Sequence, residues 1–177
     1  MLETLLSIIV AAAGFAAGKL WEQYADKRKA IELELWKIRV AESEKRLREF
    51  FWPIYLRLQR DNVVWDKILQ RENENPEKKK VAHQIEADVI LPNHIEIISL
   101  IERGMHFVRN DKELEQALLG YMRHVDVYRS IRAAGIVDKD PIYFGEPYPD
   151  GFFRVIEDRV NKLQNKYEAI LSEKTNG

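Results

Sequence analysis

The stretch TLLSIIVAAAGFAAG, from Thr4 to Gly18, runs for fifteen residues without a charge. A backbone placed where water is excluded must satisfy its own N–H and C=O groups, so such a run is read as helix. At about 1.5 Å per residue it reaches roughly 22 Å, short of a hydrocarbon core of about 30 Å. Counting from Leu2 to Leu20 closes most of that gap, with Lys19 snorkelling to the head groups.

Three readings of the run compete. A secretory signal peptide opens with a basic region, whereas this chain opens Met1-Leu2-Glu3. A helix buried in a soluble bundle uses apolar runs of similar length. An uncleaved membrane anchor is the reading its flanks favour. Trp21 and Tyr24 stand where an interfacial aromatic belt sits, and Lys19, Lys27, Arg28 and Lys29 surround them. With no basic residue ahead of the run, the positive-inside bias places the N-terminus outside and the remaining chain in the cytoplasm. The localisation expected is the cell membrane, single-pass, with the lipid bilayer as one partner. Gly14 and Gly18 form a GxxxG pair, and with Ser7 and Ala11 they line one face, which predicts self-association of the anchor.

Helical patterning continues beyond the anchor. Residues 21–51 contain no glycine or proline, and Tyr24, Ile31, Leu35 and Ile38 follow heptad-like spacing before the stripe fades at Glu42 and Lys45. This coiled-coil signal is short, so the expectation is a stalk helix rising from the bilayer and docking on a bundle. Pro53 ends or kinks it and suits the first turn of a second helix running to about Arg71. Residues 73–80, NENPEKKK, read as an exposed loop. A third helix covers about Lys80 to Ile90. Pro92 and Asn93 open a fourth, with Asn93 and Glu96 spaced as a capping box.

Its core stripe is Ile97, Ile98, Ile101, Met105 and Val108, followed by a turn and cap at Asn110 and Asp111. Leu114, Leu118, Tyr121, Val125 and Tyr128 mark a fifth helix ending near Gly135. Phe153, Ile156, Val160, Leu163, Tyr167 and Ile170 mark a sixth, with Asp150 at the N-cap position. The fold class expected is all-α: an anchor over 1–20, a stalk over 21–50, and a cytoplasmic bundle of about five helices over 51–177.

Charge and composition exclude several functions. The chain carries 28 basic and 29 acidic residues, so it lacks the broad positive field that tracks phosphates, and no nucleic-acid partner is expected. With no cysteine, disulfides, thiol nucleophiles and Cys-based metal sites are ruled out. No P-loop, dinucleotide fingerprint or nucleophile elbow occurs, and no cofactor is expected.

Four residue groups remain as candidates. His124, Tyr128 and Arg132 share one ridge of the fifth helix with Arg129 nearby, a pattern suited to an anion pocket. Its alternative is dipole compensation by arginines in the last turn. Glu102 and His106 lie at i, i+4 and offer two ligands toward a metal-dependent hydrolase. Asp61 and Asn62 interrupt an apolar helix and are expected to hydrogen-bond a neighbouring helix. Residues 138–153, rich in proline, glycine and aromatics, form an unusually long connection. Its Tyr143, Phe144, Tyr148 and Phe152 are either a partner surface or a lid packed on the bundle.

The function these features predict is a non-enzymatic, membrane-anchored interaction or scaffold protein, forming homo-oligomers and binding an unidentified protein partner. A ligand sensor using the anion pocket, and the metal-dependent hydrolase, are the alternatives.

Overall fold

A computed structural model describes the backbone of residues 2–67 and 75–175, with side-chain surroundings for 14, 15, 18–67 and 75–174. The described residues are helical and contain no strand. Their helices are α1 (Leu2–Arg46), α2 (Trp52–Lys67), α3 (Pro76–Ile85), α4 (Leu91–Gly104), α5 (Lys112–Ala133) and α6 (Phe152–Thr175).

At Pro53, where an end or a kink was expected, and at Pro92, where a fourth helix was expected to open, the helix runs on through a change of register. A π-helical turn, Leu47–Phe51, joins α1 to α2, and a second, Glu86–Ile90, joins α3 to α4. Each sits just before a proline at the second position of the following helix, Pro53 and Pro92. Proline removes one N–H and crowds the carbonyl four residues back. A wider turn relieves that crowding, and the residue ahead of each proline bonds five residues back: Trp52 N–H to Leu47 and Leu91 N–H to Glu86. The prolines therefore shift the helical register without ending the rods. Among the described residues four continuous rods result, where about five helices and an anchor were expected.

Two local expectations are corrected. Residues 76–80 are the start of α3, not a loop, because Asn75 caps the helix through Oδ1 to Glu77 N–H at 2.8 Å and Pro76 occupies its first turn. Asn93 does not build a capping box. Its side chain is buried inside α4 and donates to the Arg57 carbonyl at 3.0 Å, tying α4 to α2.

Residues 43–169 form one compact unit. Its core draws Phe50, Ile54 and Leu58 from the first rod, Ile97 and Ile101 from α4, Leu114, Leu118 and Tyr121 from α5, and Phe152, Ile156 and Val160 from α6. At Gly104 the Phe50 ring lies so near that a Cβ would stand 2.1 Å from Cδ2. Asp111 caps α5 through Leu114 N–H at 3.1 Å, as its position predicts. Gly135, at φ 74°, closes α5 with bonds from Gly135 N–H to Arg132 and from Ile136 N–H to Ile131, a Schellman motif. Entry to α6 falls to Gly151, whose carbonyl accepts from Val155 N–H.

Residues 1–42 with 170–177 form a second unit. Within it Leu33, Trp36 and Val40 of α1 are partly buried. The Trp36 indole donates to the Ile170 carbonyl at 2.7 Å, and Lys174 lies 4.5 Å from its ring centre. Trp21, Tyr24, Ile31, Leu35 and Ile38 on the same helix are exposed.

Among the described residues no helix is long and apolar enough to cross a membrane. The expected anchor falls largely on residues 1–13, 16 and 17, whose side chains lie outside the described residues, as do the Ser7 and Ala11 positions of the small-residue face. Gly14 and Gly18 have open space where a Cβ would stand.

Candidate functional site

A seam of polar side chains crosses the 43–169 unit. Asp61 enters it from α2, His94 from the first turn of α4, Tyr121 and His124 from α5, and Tyr148 from the connection ahead of α6. Tyr121 is fully buried, and Asp61 and His94 are 7% and 8% exposed. Nδ1 of His94 shares a 2.5 Å hydrogen bond with the Tyr121 hydroxyl. The Asp61 carboxylate comes within 3.8 Å of the same nitrogen. Among the described residues, neither Asp61 oxygen has a hydrogen-bond partner. This corrects the expectation that Asp61 and Asn62 bond jointly across helices, since Asn62 is exposed.

Burial sets the protonation states. It raises Asp61 to about 6 despite the opposing pull of Asn93, Arg60 and Arg57. It lowers His94 to about 4, with His124 adding to the effect. Burial also raises Tyr121 and Tyr148, and the Asp61 carboxylate raises both further. At neutral pH the seam therefore holds a neutral His94, neutral tyrosines and an Asp61 whose charge is poorly stabilised. Asp61, His94, Tyr121 and His124 are buried, and Tyr148 is the member of the seam that meets solvent.

The predicted anion ridge is filled from within the chain. Arg132 donates through Nε to Glu86 Oε1 at 2.7 Å, and through Nη1 to the carbonyls of Ile136 and Lys139 at 2.9 and 2.6 Å. Tyr128 also donates to Glu86, and the Arg132 guanidinium stacks 4.9 Å from the Tyr128 ring centre. Burial and Glu86 together raise the Tyr128 hydroxyl. His124 points elsewhere, its Nδ1–H donating to the Glu146 carbonyl at 2.9 Å. Arg129 is half exposed, 3.9 Å from Asp126, beside an open groove lined by Ala87, Leu91, Ser130 and Ala133. The four ridge residues thus do not converge on one point. Glu86, brought to Arg132 by the π turn, carries no sequence signal toward a partner forty-six positions away.

The long connection does two things. Pro141–Phe144 is a short 3-10 turn capped by Asp140, and it presents Tyr143 and Phe144 to solvent. Phe152 is buried and stacks on Tyr121 at 4.5 Å, and Tyr148, still partly open to solvent, meets Tyr121 and His124 edge-on at 5.9 and 5.4 Å.

Glu102 and His106 are both exposed, and α4 ends between them at Gly104, so they do not share an α-helical face. Among the described residues no three His, Asp or Glu side chains gather as a metal site. Comparison of the chain with protein-family models, curated proteins and solved structures gives no match.

Proposed function

We propose that this chain is a single-pass protein of the cell membrane, with its N-terminus outside and its helical remainder in the cytoplasm. There it serves as a non-enzymatic interaction or scaffold protein. The observation that carries this reading is the continuity of α1, one helix from Leu2 to Arg46. Its charge-free run passes without a break into a segment bearing exposed Trp21, Tyr24, Ile31, Leu35 and Ile38. Clustered exposed apolar side chains mark a surface meant for lipid or protein. Two further features support a role in binding. The ion pair of Arg132 with Glu86 is largely internal, and Asp61, His94 and Tyr121 of the polar seam are buried. The exposed turn of Ile142, Tyr143 and Phe144 offers a protein partner an aromatic contact.

Protease treatment of sealed vesicles tests the reading. Right-side-out vesicles are expected to protect a C-terminal tag, and inverted vesicles to expose it. A tag cut equally in both refutes the assigned topology.

A ligand-responsive protein is the second reading, favoured by the open groove beside Arg129. It predicts that inorganic phosphate or a nucleotide raises the melting temperature, and that Arg129→Ala abolishes the rise. No shift across such anions refutes it.

A further inference from the structure

Helix α1 is apolar on two sides. On one side Leu33, Trp36 and Val40 are partly buried, and Trp36 meets Ile170 and Lys174 of the chain's own C-terminal turn. The other side is bare. Its residues Trp21, Tyr24, Arg28, Ile31, Leu35 and Ile38 are separated by 3, 4, 3, 4 and 3 positions. That alternation has the spacing of an a/d seam, with Trp21, Arg28 and Leu35 at a, and Tyr24, Ile31 and Ile38 at d. Ile31, Leu35 and Ile38 are each more than half exposed.

We propose that the occupant of this face is a second copy of the chain, paired in parallel over Trp21 to Ile38. The flanking charges select the partner. In this register Lys27 and Glu34 hold g positions, and Glu32 and Arg39 hold the e positions of the following heptads. In a parallel homodimer each g residue faces the partner's next e residue. Lys27 then meets the partner's Glu32, and Glu34 meets the partner's Arg39, so all four charges are matched. An antiparallel pair matches only Lys27 with Glu34 and leaves Glu32 and Arg39 without opposite charges.

The intrachain pairs of these charges, Arg28 with Glu32 at 3.0 Å, Lys37 with Glu34 at 2.7 Å and Arg39 with Glu173 at 3.2 Å, have side chains more than half exposed. Such surface pairs are worth little and exchange readily. Arg28 opposite its own copy weakens the seam, and its pairing with Glu32 offsets that cost. A polar residue at one a position also favours a single register. The seam rests on the interaction role proposed above, not on the anchor.

Because the chain has no cysteine, one introduced cysteine reports one position. Full-length Ile31→Cys, Leu35→Cys and Ile38→Cys variants in lipid vesicles are expected to form disulfide-linked dimers. Their yield should exceed that of Gln23→Cys and Lys37→Cys, on the outer c positions, by about tenfold. Lys27→Glu in the Leu35→Cys background should cut the yield several-fold, and adding Glu32→Lys should restore it. Equal yields around the helix overturn the proposal. So does preferential linkage between mixed Trp21→Cys and Ile38→Cys chains, the antiparallel outcome. Pelleting of the same samples separates the two claims. Crosslinking without membrane retention removes the anchor and leaves the seam, and retention without position-specific crosslinking removes the seam alone.

Discussion

Asp61 Oδ2 lies 3.8 Å from Nδ1 of His94, yet that nitrogen shares its hydrogen bond with the Tyr121 hydroxyl. The carboxyl is left in the interior without a partner among the described residues. Burying a charge this way is unfavourable, and the raised value of about 6 expresses that cost.

Removing the charge should stabilise the bundle. The unfolded chain releases the Asp61 proton near its ordinary value of 3.8, the folded chain only near 6. The contribution of Asp61 is therefore fully present below about pH 4, falls between pH 4 and 6, and stays lost above. Asp61→Asn should gain about 1–2 kcal/mol at pH 7.5. The gain should vanish at pH 4, as read from urea unfolding at both values.

His94 acts with the opposite sign. Its folded value is lowered to about 4 from 6.5, so the unfolded chain takes up a proton first as pH falls. Stability present above pH 6.5 is lost on the way down to pH 4. His94→Gln should flatten that part of the pH–stability curve. An unchanged slope between pH 6.5 and 4.5 contradicts the assignment.

Arg132 with Glu86 holds the end of α5 and the connection after it. The pair is partly buried, and removing one member strands the other at a cost of about 1–3 kcal/mol. Arg132→Ala should lower stability by that order and speed proteolysis near Ile136–Asp140. Arg132→Lys should rescue only in part, because an ammonium cannot reach Glu86 and two carbonyls with the same fork. Full rescue by lysine contradicts the geometry.

Gly104 is fixed by contact with Phe50. Gly104→Ala should destabilise by about 1–3 kcal/mol despite alanine's better helix propensity. Phe50→Leu in the same chain should recover part of the loss, measured as a double-mutant cycle.

The features legible in the sequence are those set within a few residues. Asp111 and Gly135 close helices where their chemistry predicts, and the stripes of α4, α5 and α6 face the core. The π turns before Pro53 and Pro92 were not legible, because a proline reads locally as a stop and only tertiary packing keeps the rod going. Asn93 has the spacing of a cap, but the Arg57 carbonyl on α2 offers a better use inside the core. The anion ridge on α5 was legible as basic and aromatic. That Glu86 fills it depends on a contact forty-six residues away. Within the connection the aromatics divide: Tyr143 and Phe144 face outward, while Phe152 stacks on Tyr121 and Tyr148 packs edge-on against it.

Membrane retention is the most direct test of the central claim. Full-length chain and an Ile9→Lys variant, which puts a charge in the middle of the uncharged run, are expressed in cells and their membranes washed with carbonate. The unaltered chain is expected to stay in the pellet and the variant to move to the supernatant as a folded helical protein. Release of both chains by carbonate contradicts it, and residues 4–18 would then belong to a protein interface instead of a bilayer.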